Sequence, residues 1–493
     1  MIKTCMKIEN SHRLLLITFA FLLLSLFVAV NASAGCFTII VGKDASADGS
    51  VLVAHNEDAG PPVIVNHYKI PRKTHPAGST VELMEGGYIE QVPETYSYIW
   101  SEIPDLYFSD SFVNEWGVCI TSNACPSRED RPEFSDGGIS KMLRHILIQR
   151  SKTAREAIEL AGELVERFGY DSSGRTYTIC DPDEGWLFAV VHGRHWLAHR
   201  VPDDQVAMIA NVYSIREVDL NDYKNVIASD DILSYASKRG WLNPEDGFDF
   251  AATYAHRQAL ADTNNFGRQW SGLCQVTDER LKLNSKLPSS LEPNRKLDVT
   301  DMMKILRNHH EGTDLDLQEP SSGSPHQAGK STICSWATQT SFIAQLRSDL
   351  PREVGLVYWA CLGSPCISCY TPFCFGIDKF PEGFALDGDA PTLVEFRQNA
   401  AAPFTADSDQ AFWTFINFYH KVDARHAFNL EFIRSKFDLI EADALAKQKQ
   451  LEVMFPTVHK KHRANPTKLL REHSREIYLS TISAMDEIIQ KLK

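Results

Sequence analysis

The stretch CFTIIVGKDASADGSVLVAHNED, residues 36–58, admits one local structure. Phe37, Ile39 and Val41 alternate with Thr38, Ile40 and Gly42. The turn-forming run DASADGS follows, and VLVAHNED resumes in extended form, so the segment predicts a β-hairpin. With the turn centred between Ser46 and Ala47, paired residue numbers sum to about 93, which sets Cys36 opposite Glu57. His55 and Asp58 then fall within a pair or two of Cys36. Their parity is opposite, so both reach one site only where the strand ends or bulges.

What precedes the hairpin is a different kind of sequence. Lys3, Lys7 and Arg13 lead into an apolar run, Leu14 to Val30, broken only by Thr18 and Ser25, and then Ala32, Ser33, Ala34 and Gly35. A basic start, an apolar centre and small residues at the end predict an export signal, residues 1–35, cleaved after Gly35. An uncleaved membrane anchor is the alternative. No later stretch is apolar enough to span a bilayer, so no membrane is expected after signal removal. The formal charge of −14, without a long basic run, excludes nucleic acid as the main partner.

The rest of the 493 residues suit one large domain or two moderate ones. YSYIWSEI and GVCITSN are strand candidates. TAREAIELAGELVERFG predicts a helix, with Thr153 and Glu156 as a capping box, Ala157, Ala161, Leu164, Val165 and Phe168 on its apolar face, and Gly169 at its end. TYTICDPDEGWLFAVVHGRHWLAHRV predicts two or three meander strands turning at DPDEG. Residues 284–297 and 312–331 read as loops. From about Asp407 the pattern is helical. Strands mixed with helices, then helices alone, predict an α+β fold with a helical C-terminal part.

Ten cysteines remain after the leader. If Cys36 is reserved for chemistry, nine are left, so at least one stays free or pairs between chains. Cys366, Cys369 and Cys374 cluster in CISCYTPFC. One C-x-x-C without a second pair or a nearby His reads as a disulfide or as buried thiols rather than as zinc. Neither metal nor cofactor is expected.

Cleavage after Gly35 gives Cys36 a free α-amine. The thiol and the amine titrate close together, so the neutral amine can take the thiol proton and the thiolate can attack an amide carbonyl. No separate catalytic His is needed. The local residues leave other readings open: SAGC partly resembles a lipoprotein box, although Ser33 stands where a large aliphatic residue is usual, and Cys36 could be an ordinary strand residue.

Residues 36–58 resemble the opening of the N-terminal-nucleophile (Ntn) dipeptidases, the dipeptidase A and secernin group. Later blocks resemble the same family in order: FVNEWGVCITSNA, RSKTAREAIELAGELVERFGYDSSGRTYTICDPDEGW, HWLAHRVPDDQVAMIANVYSIREVDLND and FIAQLRSDLPREVGLVYWACLGSPCISCYTPF. The resemblance implies a four-layer αββα sandwich, with an Ntn-hydrolase catalytic domain over 36–406 and a helical region, 407–493, packed on it. It implies cysteine-dependent cleavage of dipeptides without metal. Cys36 matches the nucleophile, and Asp58 the acid that contacts the terminal amine in related hydrolases. His55 departs from the family's usual Arg. Asn123 and Asn211 match polar residues placed to bind the oxyanion. A dipeptide also needs a cation for its carboxylate, for which Arg347, then Arg216, are the candidates. The GSPCISCYTPF loop is expected to wall the pocket. The reading is therefore an exported thiol dipeptidase, periplasmic or extracellular, and possibly a homo-oligomer. An N-acyl amidase of the bile-salt or penicillin V acylase type and a lipoprotein held by Cys36 are the alternatives.

Overall fold

The structure, a computed structural model, describes residues 35–492 apart from 60–62, 105–107, 244, 246, 285, 317–324, 327–330, 386–408, 424–429 and 462–465. The expected leader lies outside the described residues except for Gly35, and so does the expected division at 406/407. No helix among the described residues is long and apolar enough to cross a membrane.

The hairpin forms in the expected register. β1 (Phe37–Val41) and β2 (Val51–Asp58) pair antiparallel, with Phe37 opposite Asn56 and Thr38 opposite His55. They are the centre of a six-stranded sheet. β10 (Val206–Ile209) flanks β1, and β12 (Thr338–Leu346), β13 (Leu356–Leu362) and β14 (Thr371–Cys374) continue outward from β2. The second sheet has eight strands. Its order is β11 (Val226–Ala228), β9 (Trp196–Val201), β8 (Gly185–Gly193), β7 (Tyr170–Cys180), β6 (Cys119–Ala124), β5 (Phe108–Asn114), β4 (Tyr98–Ile103) and β3 (Asn66–Ile70). Every pair in both sheets is antiparallel. The meander read from TYTIC onward is β7–β9.

Strand parity sorts the two faces of β1 and β2. Phe37 packs outward, close to Gly272 of a covering helix, whereas Ile40 points inward to Gly185 of the other sheet. Helices cover both outer faces. α1 (Leu143–Arg150) and α2 (Ala154–Phe168) lie on the eight-stranded sheet. The five residues read as the apolar face of α2 are all buried there. Its Gly162 has no alternative, because a Cβ would stand 2.2 Å from the Trp196 ring. On the six-stranded sheet lie α3 (Thr263–Cys274), α4 (Val299–Leu306), α5 (Ala411–Asp423), α6 (Leu430–Lys461) and α7 (Pro466–Lys491). The layers are therefore helix, sheet, sheet, helix.

The capping box at α2 is only half present. Thr153 Oγ1 accepts from the Glu156 N–H at 3.1 Å, but the Glu156 carboxylate accepts from Lys152 N–H at 2.7 Å instead of closing on Thr153. A reciprocal box caps α4, through Asp298 and Asp301. The ten cysteines are all free thiols, so CISCYTPFC holds buried thiols and no disulfide.

Candidate active site

The site lies where the open end of the hairpin meets the eight-stranded sheet. The side chain of Cys36, at the start of β1, points between the sheets and is only 7% exposed. Its Sγ donates to Glu57 Oε1 at 3.3 Å. The other Glu57 oxygen meets His55 Nε2 at 3.2 Å, and Asp110 Oδ1 lies 3.4 Å from the same nitrogen. His55 Nδ1 meets the Thr38 hydroxyl at 2.7 Å. A buried chain of polar groups thus runs Cys36–Glu57–His55–Asp110. It is possible because Cys36, Thr38, His55 and Glu57 share the inner face, and because a bulge in β5 turns Asp110 inward. Ser101 pairs with Ser111 and Glu102 with Ser109, leaving Asp110 as the extra residue.

A second bulge completes the site. Thr338 pairs with Asp58 and Thr340 with Glu57, so Gln339 is the extra residue of β12. This distortion at the end of β2 gathers Glu57 and Asp58 around one thiol despite their opposite parity. Thr338 Oγ1 donates to Asp58 Oδ1 at 2.7 Å. The other oxygen, Oδ2, is buried with no hydrogen-bond partner among the described residues. Burial pushes Asp58 up to about 7, against the Thr338 hydrogen bond and the Arg268 charge. Burial also raises the Cys36 thiol well above its usual range, and the Glu57 and Asp58 carboxylates push the same way.

Arg268, fully buried on α3, organises the chain at Cys36. Nη1 donates to the Gly35 carbonyl and, at 3.0 Å, to the Cys36 carbonyl. Nη2 donates to Asn211 Oδ1 at 2.9 Å and Asn265 Oδ1 at 3.1 Å. Asn211 Nδ2 donates to Ala124 O at 3.0 Å, and the second N–H of that amide has no protein partner among the described residues. Gly35 fits this corner because it lacks a side chain: a Cβ would stand 2.3 Å from Asn211 Oδ1 and 2.5 Å from Arg268 Nη2.

Two relatives and one family model bear on this arrangement. The family model described as Peptidase family C69 matches residues 35–416, beginning one residue before Cys36. The chain belongs to peptidase family C69. It is an enzyme, a cysteine peptidase. It is 30% identical over 386 residues to "Probable dipeptidase B" of Streptococcus pyogenes serotype M1, covering 73% of this chain and 76% of that protein. It is 28% identical over 363 residues to "Probable dipeptidase" of Salmonella dublin, covering 71% and 82%. A penicillin V acylase structure from Agrobacterium tumefaciens aligns over 72% of this chain and 89% of its own, at 10% identity and a TM-score of 0.36.

In this C69 peptidase, Cys36, His55, Asp58 and Asn211 gather at one place. Asn123 lies beside them in a different task. Its Oδ1 accepts from the Thr38 hydroxyl at 2.5 Å and its Nδ2 donates to Ile209 O at 3.3 Å, so the amide ties the two sheets together. Arg347 is not at the site. It follows β12 at the end opposite Thr338 and is held by Glu452 at 2.5 and 2.9 Å. Arg216 is paired with Asp249 at 2.6 Å. Nor does the GSPCISCYTPF loop wall the thiol: it lies on the outer side of the six-stranded sheet, where Tyr370 N–H donates to Glu441 of α6.

Sequence reasoning missed Arg268, Asp110, Thr338 and Arg175. Arg268 sits in an ordinary amphipathic helix, and the other three depend on bulges or on pairing between distant strands. Arg175 stands opposite Ala124 on β7, with Nη1 on Ser122 Oγ at 3.0 Å and Nε on Tyr170 Oη at 3.1 Å. Burial disfavours its charge, but Tyr170, Tyr177, Glu57 and Cys36 more than compensate and hold it protonated. Cys36, His55 and Glu57 are close enough together to contact one ion, and they also hydrogen-bond one another.

Proposed function

We propose that this protein is an exported thiol dipeptidase whose nucleophile, Cys36, becomes the N-terminal residue on cleavage after Gly35. One observation carries the reading: the Cys36 thiol faces Glu57 and Asp58 at the start of the family match, and one Asp58 oxygen is buried without a partner among the described residues. In the mature chain that oxygen accepts an N–H from the new α-amine, a charge-assisted bond that orients it.

The neutral amine removes the Sγ proton, and the thiolate attacks the carbonyl carbon of the dipeptide bond. The second N–H of Asn211 stabilises the oxyanion, while Arg268 holds the Asn211 amide in place. The ammonium passes its proton to the leaving nitrogen, the C–N bond breaks, and a thioester remains. Water then attacks the thioester and gives a proton to the amine. The C–S bond breaks, and the proton returns to sulfur. Two carboxylates beside the thiol oppose a lone thiolate, so the ammonium formed in the same step is what makes ionisation feasible. Arg175, whose charge reaches Cys36, is the cation assigned to the substrate carboxylate in place of Arg347. A lipidated Cys36 fits poorly with a sulfur buried between two sheets.

The test is hydrolysis of a dipeptide panel and of N-acyl amides by the mature protein and its Cys36→Ala variant. The reading expects dipeptides to be cleaved by the first protein only. Full activity in the variant, or turnover confined to N-acyl amides, would sink it.

A further inference from the structure

On the outer side of the six-stranded sheet, four ligand-type side chains converge from four separate segments. His309 follows α4, His326 lies in the loop beyond it, Cys334 precedes β12, and Cys366 sits in the short turn Pro365–Ile367. One ligand atom from each lies within 4.8 Å of all the others. His309 Nε2 and His326 Nε2 are 3.2 Å apart, and His326 Nε2 is 3.6 Å from Cys334 Sγ and 3.7 Å from Cys366 Sγ. A tetrahedral ion with metal–nitrogen bonds of about 2.0–2.1 Å and metal–sulfur bonds of about 2.3 Å has N···N edges of about 3.3 Å and N···S edges of about 3.6 Å. The three edges in the structure match those lengths. Cys366 also contacts both His309 and Cys334.

The groups behind these ligands point the same way. His309 Nδ1 lies 2.8 Å from Glu311 Oε1, and Glu311 also accepts from the backbone N–H of His309 and from Asn308 Nδ2. Donation from Nδ1 to that carboxylate leaves the Nε2 lone pair aimed into the cluster, which is how metal-binding imidazoles are oriented. His326 Nδ1 lies 3.4 Å from the Tyr419 hydroxyl, so its Nε2 faces inward as well. An ion between the two imidazole nitrogens would take both Nε2 lone pairs, and Cys334 and Cys366, as thiolates, would supply the matching negative charge. His309, Cys334 and Cys366 are buried, and a cavity of about 490 Å³ bordered by Glu311 and Cys366 gives an ion its way in.

We propose that His309, His326, Cys334 and Cys366 form a structural zinc site. Four protein ligands close the coordination sphere, which excludes a catalytic role, and a mixed N₂S₂ tetrahedron suits Zn²⁺. The site is independent of the Cys36 chemistry but adjoins it. It pins residues 334–338, the segment that brings Thr338 to Asp58. The C-x-x-C spacing is incidental, because Cys369 lies outside the cluster, with its Sγ near Tyr370 O at 4.0 Å.

The experiment uses the full mature chain, purified under a reducing agent, stripped with a chelator and titrated with Co²⁺, then Zn²⁺. The wild type should take up about one equivalent, with tetrahedral d–d bands and a thiolate charge-transfer band that Zn²⁺ abolishes. Cys366→Ser and His326→Ala should weaken binding by more than about 100-fold, and Glu311→Gln by about 10-fold. Cys369→Ser and Cys36→Ala should titrate like the wild type. Absence of these bands in the reduced wild type overturns the proposal. So does their loss in Cys36→Ala with retention in Cys366→Ser, or a Cys334–Cys366 disulfide that persists in place of metal. If Cys366→Ser does not fold, the wild-type titration and His326→Ala decide.

Discussion

At the residue scale, the thiol and its acids make distinct predictions. Cys36→Ala should lower kcat on a dipeptide by at least about 10³-fold, measured on protein whose unfolding temperature is unchanged. Asp58 has a sign that depends on processing. In the uncut chain its folded pKa of about 7 exceeds its ordinary value of 3.8, so the folded state holds the proton more tightly than the unfolded state does. Its stabilising contribution is therefore present below about pH 4 and is lost as the pH rises to about 7. Thr338, Arg268, Glu57 and His55 are the polar groups that face it. In a Cys36→Ala chain that retains Gly35, Asp58→Asn should flatten the fall in unfolding temperature over that pH range. In the mature enzyme the same change should reduce kcat. A steeper fall in the Asn variant would contradict the placement of Asp58. Arg175→Ala should raise KM for dipeptides by about 10-fold or more, the size of one lost charged hydrogen bond, with a smaller change in kcat. An unchanged KM would remove Arg175 from the substrate site.

At the element scale, the hairpin shows how far periodicity reaches. Alternation and turn residues set the pairing of β1 with β2, and through it the meeting of Cys36 with Glu57. Periodicity did not reveal the bulges at Asp110 and Gln339, because a bulge is decided by the partner strand and leaves no local pattern. Those two irregularities decide which acids surround the thiol. Arg268 was hidden for a related reason: one arginine on a helix looks solvated until the helix is placed, and this one is fully buried at the Cys36 carbonyl. Arg347 is the converse, a plausible cation in the sequence that the strand direction carries to the wrong end. Its ion pair with Glu452 is largely buried, so Arg347→Ala should cost about 3 kcal/mol of stability, read from denaturant unfolding. It should leave kcat/KM for dipeptides nearly unchanged. A large loss of kcat/KM in a stable variant would return Arg347 to the substrate site.

At the scale of the whole molecule, composition and element order indicated mixed strands and helices. The face-to-face pairing of the two sheets came from contacts between distant parts of the chain. Glu441 illustrates the joint between the C-terminal helices and the sheet: it accepts from Arg307, from Arg434 Nη2 at 2.9 Å and from the Tyr370 backbone N–H at 2.9 Å. Burial opposes its charge, but the two arginines outweigh that and hold it below the usual carboxylate range. Glu441→Ala leaves two arginines uncompensated and should cost about 3–5 kcal/mol, again read from unfolding. The proposed chemistry depends on one event that acts on the whole chain, the proposed removal of residues 1–35. Intact mass with N-terminal sequencing of the mature protein tests it most directly. The proposed chemistry predicts a chain that begins at Cys36 with an unmodified amine. A mature chain that begins elsewhere, or carries acyl groups on Cys36, contradicts it.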